Sequence, residues 1–402
     1  VRVLTIGDVG VVDGMVHLGD EAMFEAFVDA MRERRDARIT GISAAPAETS
    51  ARYGIDAIAG IGFGGALAHD RAAQADRMSR VLRTADGTLG LLDAGDPAHR
   101  VIEAVRASDA VAVSGGGNMA STWPLHIFER ATLAELAHRL DRPFVVSGQT
   151  LGPELTGADR ELLGGLLRRA RLVGLREEPS LRLARALGVA EDRSSHTLDD
   201  ASFLRAADSF GEPASGILVS LSTHLGGADR ERAVTAIAAL IDRAAELTGL
   251  DVGFLAHFAS VRSDAVRGDS VLHEEVRARM TAPSVIRHVT HARPAADLAR
   301  AASLVVTSRY HPAVFALSGA VPTLALPVDE YTSVKLAGAL GNLGQNGVLP
   351  LHELLASGAS TATLDRVVAE AETIRADGLA RLPEARRAAG AWWDRVAAAL
   401  GD

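Results

Sequence analysis

Leu304-Val305-Val306-Thr307-Ser308-Arg309-Tyr310-His311-Pro312-Ala313-Val314-Phe315-Ala316-Leu317 decides the fold of this chain. The apolar run 304–306 predicts a buried strand, and 313–317 predicts the start of a helix. An arginine and a histidine two residues apart therefore fall in a strand-to-helix turn. In open α/β sheets that turn faces the ligand crevice. Pro312 suits the first helical position, where its missing N–H costs nothing. Free backbone N–H groups at a helix start favour an anion, and Arg309 adds a planar donor fork. His311 adds a group that carries or releases a proton near neutral pH.

Outward from this turn, short apolar runs alternate with helical patterns in two blocks. In the first, strands are predicted at 3–6, 38–42, 110–113, 143–147 and 172–175. Helices are predicted there at 19–34, 97–107, 125–140, 158–169 and 179–187, the last stopped by Gly188. Residues 58–95, rich in Gly, Ala and Asp, show no clear period. Asp208-Ser209-Phe210-Gly211-Glu212-Pro213 reads as a linker. In the second block, strands are predicted at 217–221, 252–255, 285–289, 304–306 and 323–326. Helices are predicted at 230–247, 264–280, 294–301, 313–317, 333–340, 363–376 and 383–400. Strands alternating with helices imply parallel sheets covered on both faces. The expectation is an α/β protein of two Rossmann-like domains, 1–207 and 214–402, whose sheets face a central cleft.

Composition narrows the function. With 402 residues, 48% of them hydrophobic and 23% charged, the chain can bury full cores. A formal charge of −9 without a basic tract argues against nucleic acid as a partner. The absence of cysteine rules out disulfides, thiol nucleophiles and Cys-based metal sites. The uncharged run 313–328 is broken by Gly319 and Pro322 and is too short to span a membrane. The first residues enter a strand pattern directly, without the apolar core of a signal peptide. A soluble, cytoplasmic protein is expected. The thirteen histidines show no zincin spacing, and no Asp-x-Asp motif occurs, so no metal is expected. A Ser-His-Asp hydrolase is unsupported, since there is no G-x-S-x-G elbow. Lys335 is the single lysine among 42 Lys+Arg, which fits either a place where a compact ammonium is needed and a planar fork does not substitute, or chance survival on a solvated helix.

Further motifs occur in a fixed order. His17-Leu18-Gly19-Asp20-Glu21-Ala22-Met23 opens the series, followed by Ser114-Gly115-Gly116-Gly117-Asn118-Met119 and Gly148-Gln149-Thr150-Leu151-Gly152-Pro153. Then come Leu175-Arg176-Glu177-Glu178-Pro179-Ser180, Asp200-Ala201-Ser202-Phe203, Ser308-Arg309-Tyr310-His311, and the pair Tyr331 and Lys335. Singly each is weak. Together, over about residues 3–343, the series resembles the polysaccharide pyruvyl transferase family. Two departures stand out: the loop 7–16 lacks the family's Gly- and Asn-containing pattern, with His17 near the Asn position, and the element at Asp200 lacks its proline.

The resemblance implies a GT-B-like fold and transfer of pyruvate from phosphoenolpyruvate, as a ketal, to two hydroxyls of a saccharide or glycoconjugate in exopolysaccharide or cell-wall synthesis. Phosphoenolpyruvate is then a co-substrate and no cofactor is needed. His311 and Arg309 become the expected catalytic pair, with Arg176, Lys335 and Ser308 binding the donor. Gly115, Gly116, Gly117, Asn118, Gln149, Asp20, Glu21 and His17 become the expected cleft-lining or acceptor-binding residues, the acceptor being assigned to the N-terminal half. By themselves the glycines also fit a plain tight turn, Asp20 and Glu21 fit the positive end of a helix, and Arg176 fits a salt bridge with Glu177 or Glu178. Two other readings use the same residues: a GT-B sugar-nucleotide glycosyltransferase, and a non-catalytic sugar-phosphate or anion-binding protein. Oligomeric state is not legible.

Overall fold

Val3, Leu4 and Ile6 in the first unit, and Leu304, Val305 and Val306 in the second, are all buried, as strands covered on both faces must be. The computed structural model describes residues 1–207, 216–356 and 361–401; the linker expected at 208–213 lies outside the described residues. The chain divides into two compact units. One comprises Val1–Val11, Met23–Asp200 and Ala388–Asp402, the other Val12–Ala22 and Ala201–Arg387.

In the first unit the strands run in the order Asp56–Ala59, Arg38–Ser43, Arg2–Ile6, Ala110–Val113, Phe144–Leu151, Leu172–Leu175 and Ser194–His196. All these neighbours are parallel, and the short strand Gly116–Met119 also pairs with Phe144–Leu151. One face packs on helices that include Pro124–Arg139 and Gly157–Arg169 through Ile127, Leu133, Leu163 and Leu167. The other packs on Phe24, Phe27 and Met31 of Leu18–Arg35 and on Trp392, Val396 and Leu400. In the second unit the parallel order is Ser284–Arg287, Val252–Leu255, Ile217–Ser220, Leu304–Thr307 and Thr323–Ala325. Met15–His17 forms an antiparallel pair with Phe258–Ser260 in the same unit.

The structure corrects several boundaries. The helix after Arg309 begins at Tyr310, so Pro312 stands at its third position and not its first. The first four N–H groups of a helix have no intrahelical acceptor, so a proline is tolerated there equally well. Pro383 does not open a helix; it lies inside Ala371–Gly401. The helix expected over 264–280 is confined to Asp269–Arg277, because Gly268 takes a φ of 61°. Residues 58–95 hold the helix Arg71–Ala85, capped by Asp70.

Candidate functional site

The strand Leu304–Thr307 delivers its last side chains to a stitched corner. Thr307 Oγ1 donates to the Ser220 carbonyl at 2.8 Å and accepts from the Arg309 N–H at 2.9 Å. The Ser308 N–H donates to the Ser220 carbonyl at 3.1 Å, and Ser308 Oγ accepts from the Ser222 N–H at 2.8 Å. Ser308 is thus a buried fastener at this corner. Arg309 follows as the N-terminal cap of Tyr310–Ser318, in extended backbone.

The Arg309 guanidinium is gripped by Asp269. Nε donates to Oδ2 at 2.9 Å, and Nη2 pairs with Oδ1. Asp269 is fully buried and also accepts from the N–H groups of His257 and Phe258, at 3.2 and 2.8 Å. Two histidines flank this pair. His257 Nδ1 lies 3.0 Å from Ser220 Oγ, and His273 Nε2 accepts from the Leu221 N–H at 2.9 Å. Burial pushes His257 down to about 3 and His273 down to about 4, so both are neutral at physiological pH. The local charges are therefore Arg309 and its carboxylate partner.

His311 packs against the N-terminal signature. A Cβ on Gly19 would lie 1.9 Å from His311 Nδ1, so only glycine admits the ring in this position. Its other neighbours include Tyr310, at 5.2 Å edge to face, and Phe315, at 6.0 Å between centroids. Lys335 completes the group. Its Nζ donates to Tyr331 Oη at 3.0 Å and sits 4.5 and 5.1 Å from the ring centroids of Tyr331 and Tyr310. Two of the chain's three tyrosines thus surround its one lysine. His17 stacks on Phe258 with centroids 4.1 Å apart. Asp20 and Glu21 occupy the first turn of Leu18–Arg35, where carboxylates match the helix dipole. His17, Gly19, Asp20 and Glu21 all belong to the second unit, with His311, Arg309, Ser308 and Lys335.

The other expected residues gather in the first unit. Arg176, 1% exposed, donates from Nη1 to Asp199 at 2.6 Å and from Nε to Thr150 Oγ1 at 2.8 Å. Asp200 accepts from the Gly115 N–H at 3.0 Å and from Ser147 Oγ at 2.8 Å. Burial pushes the Asp200 carboxyl up to about 7, with the neighbouring Asp199 charge adding to the effect. Gly148 has a φ of 54°, and a Cβ there would lie 2.6 Å from Asp200, which explains the glycine before Gln149. Gln149 is fully buried and donates from Nε2 to the Ser114 and Ser147 carbonyls at 2.5 and 3.2 Å. Gly116, Gly117 and Asn118 lie on the strand Gly116–Met119, so of the three glycines only Gly115 falls in the turn. Asn118 Nδ2 donates to Asp8 Oδ2.

Sequence reading missed Asp269, His257 and Asp8. Gly268-Asp269 just before an amphipathic run is the only local sign of Asp269, and it suggests no more than a helix start. Its pairing with Arg309 is a long-range contact without a sequence pattern.

Several solved structures share the fold. A putative UDP-N-acetylglucosamine 2-epimerase from Listeria monocytogenes aligns at a TM-score of 0.59 and 13% identity, covering 95% of this chain and 91% of that one. The UDP-GlcNAc 2-epimerase of Methanocaldococcus jannaschii aligns at 0.58 and 12% identity, covering 92% of each chain. Anabaena Alr3699/HepE, solved with UDP-glucose, aligns at 0.57 and 13% identity, covering 99% and 98%. These likenesses establish a GT-B-type fold. No curated protein sequence matches the chain. The family profile described as Polysaccharide pyruvyl transferase matches residues 17–330, and the chain belongs to the polysaccharide pyruvyl transferase family.

Proposed function

We propose that this protein moves the pyruvyl group of phosphoenolpyruvate onto two hydroxyls of a saccharide-containing acceptor, as a ketal and without a metal. The observation that carries the reading is the grouping around one helix start: the Arg309 fork held by Asp269, the His311 ring on Gly19, and Lys335 between Tyr310 and Tyr331.

Phosphoenolpyruvate is a dense anion, and Arg309, Lys335 and the first N–H groups of Tyr310–Ser318 supply donors for it. Arg309 spends Nε and Nη2 on Asp269, which leaves Nη1 for the ligand. His311, as imidazolium, protonates the methylene carbon. The C2 cation that results is attacked by one acceptor hydroxyl. Phosphate then leaves with the electrons of its bond to C2, and the second hydroxyl closes the ketal. Over the cycle the two hydroxyl protons end on the new methyl group and on phosphate. Arg176, buried against Asp199 and Thr150, is better suited to bracing the strand ends beneath Gly115 and Gln149 than to holding the donor.

The test is phosphate release from phosphoenolpyruvate across a panel of glycosides, lipid-linked sugars and sugar nucleotides, with product mass measured alongside. A ketal product, abolished in His311→Ala, is expected. Transfer from a UDP-, GDP- or dTDP-sugar, with no response to phosphoenolpyruvate, would sink the proposal in favour of a glycosyltransferase.

A further inference from the structure

Asp8, Asn118, His126 and Arg130 form a polar cluster in the first unit that the donor chemistry does not use. Asp8 follows the strand Arg2–Ile6, and Asn118 lies on Gly116–Met119, just beyond the end of Ala110–Val113. Both stand at the C-terminal edge of the parallel sheet, where α/β folds bind ligands. His126 and Arg130 are one turn apart on Pro124–Arg139. Asp8 Oδ1 lies 2.8 Å from Arg130 Nη2 and 3.3 Å from His126 Nδ1, and Oδ2 takes the Asn118 amide.

The Arg130 guanidinium and the Asp8 carboxylate offset each other. Arg130 is 1% exposed, and its partner is the Asp8 carboxylate. Burial alone would raise the Asp8 carboxyl, but the charges and hydrogen bonds of Arg130 and His126 outweigh it and hold it below the usual range. Burial pushes the adjacent Glu129 carboxyl upward. The Arg130 charge is thus taken up by Asp8 and not offered to a phosphate.

What is left over is hydrogen-bonding capacity. The Asp8 and His126 side chains are 21% and 23% exposed. Asn118 Oδ1 is buried and has no partner among the described residues. His126 Nδ1 lies 3.2 Å from Arg130 Nη1 and 3.3 Å from Asp8 Oδ1, so it accepts from the one or donates to the other, and Nε2, which bonds to no described residue, is left as the ring's second hydrogen-bonding atom. An amide oxygen, an imidazole nitrogen and a carboxylate edge beside one another match neighbouring hydroxyls, since each hydroxyl both donates and accepts.

We infer that Asp8, Asn118 and His126 form a binding site for a neutral polyhydroxyl group, the sugar ring of the acceptor. This inference rests on the pyruvyl-transfer reading for the word acceptor, but its chemistry stands on the cluster alone.

Saturation-transfer NMR with the methyl glycosides of galactose, glucose and mannose tests it on the full chain, without phosphoenolpyruvate. At least one glycoside should bind the wild type and His311→Ala equally, and bind Asn118→Ala and His126→Leu at least tenfold more weakly. Inorganic phosphate should not displace it. Should Asn118→Ala melt early, His126→Leu, at a partly exposed position, decides. No glycoside binding by the wild type, equal binding in all four proteins, or displacement by phosphate would overturn the site. Thermal shifts with phosphoenolpyruvate on the same samples report separately on the donor. Glycoside binding that depends on the cluster, with no phosphoenolpyruvate response, would leave this site standing while the pyruvyl reading fell.

Discussion

The His311 imidazole lies directly on Gly19: a methyl carbon at position 19 would stand 1.9 Å from Nδ1 and 2.4 Å from Cγ. The glycine of the first signature and the histidine of the last are thus two halves of one packing contact within the second unit. Gly19→Ala is expected to push the ring out of position while leaving Arg309 and Lys335 in place. Turnover should fall by roughly the contribution of a general acid, about 10²–10⁴-fold. The thermal shift produced by phosphoenolpyruvate should persist, since a ligand of the native state stabilises it by mass action. Near wild-type turnover in the folded variant would show that the contact does not position the ring.

Lys335→Arg keeps the charge but replaces a compact ammonium with a planar fork. Arginine also stacks well on aromatic rings, so the contacts with Tyr310 and Tyr331 are not what the change removes. The loss is the short reach of Nζ beside Tyr331 Oη. The KM for phosphoenolpyruvate should rise about tenfold, near the ~1.5 kcal/mol of one charged hydrogen bond. Steady-state kinetics decide it, and an unchanged KM would make the lysine incidental.

Asp269→Asn retains an oxygen for the His257 and Phe258 N–H groups but loses the charge that fixes Arg309. Breaking a buried ion pair is destabilising, and Arg309 at 26% side-chain exposure can partly rehydrate. A stability loss of about 1–3 kcal/mol is expected, with kcat falling tenfold or more. Thermal melts and kinetics on one preparation separate the two effects. Tighter phosphoenolpyruvate binding at unchanged kcat would mean that Asp269 only offsets charge and does not aim the arginine.

The central strands were legible because a buried parallel strand is a short apolar run bounded by turn residues, as at Ala110–Val113 and Leu304–Thr307. The edge elements were not: Ser194–His196 is polar and three residues long, and Met15–His17 pairs with a distant partner in an antiparallel ladder. Arg309, His311 and Lys335 stood out by residue type and position. Asp269 and Asp8 did not, since a carboxylate before a helix or after a strand has a sufficient local explanation. Their roles exist only through contacts with Arg309 and Arg130, which no local spacing encodes.

Asp200 gives a prediction about pH. Its folded-state pKa of about 7 stands well above the ordinary aspartate value of about 3.9, chiefly because it is buried. Between those values the folded state binds the extra proton, so this group's contribution to stability falls as pH rises from about 4 to about 7 and is flat above. Asparagine mimics the protonated carboxyl and does not titrate. Whatever Asp200→Asn costs through the bonds to Gly115 and Ser147, that cost does not vary with pH. The stability of Asp200→Asn relative to wild type should therefore increase from pH 5 to pH 8, by about 2–3 kcal/mol at ~1.4 kcal/mol per pKa unit. Urea denaturation of both proteins at the two pH values measures the difference. A relative stability that is constant or declines toward pH 8 would mean that Asp200 is ionised in the folded protein at pH 5, with Arg176 and the Gly115 N–H prevailing over burial.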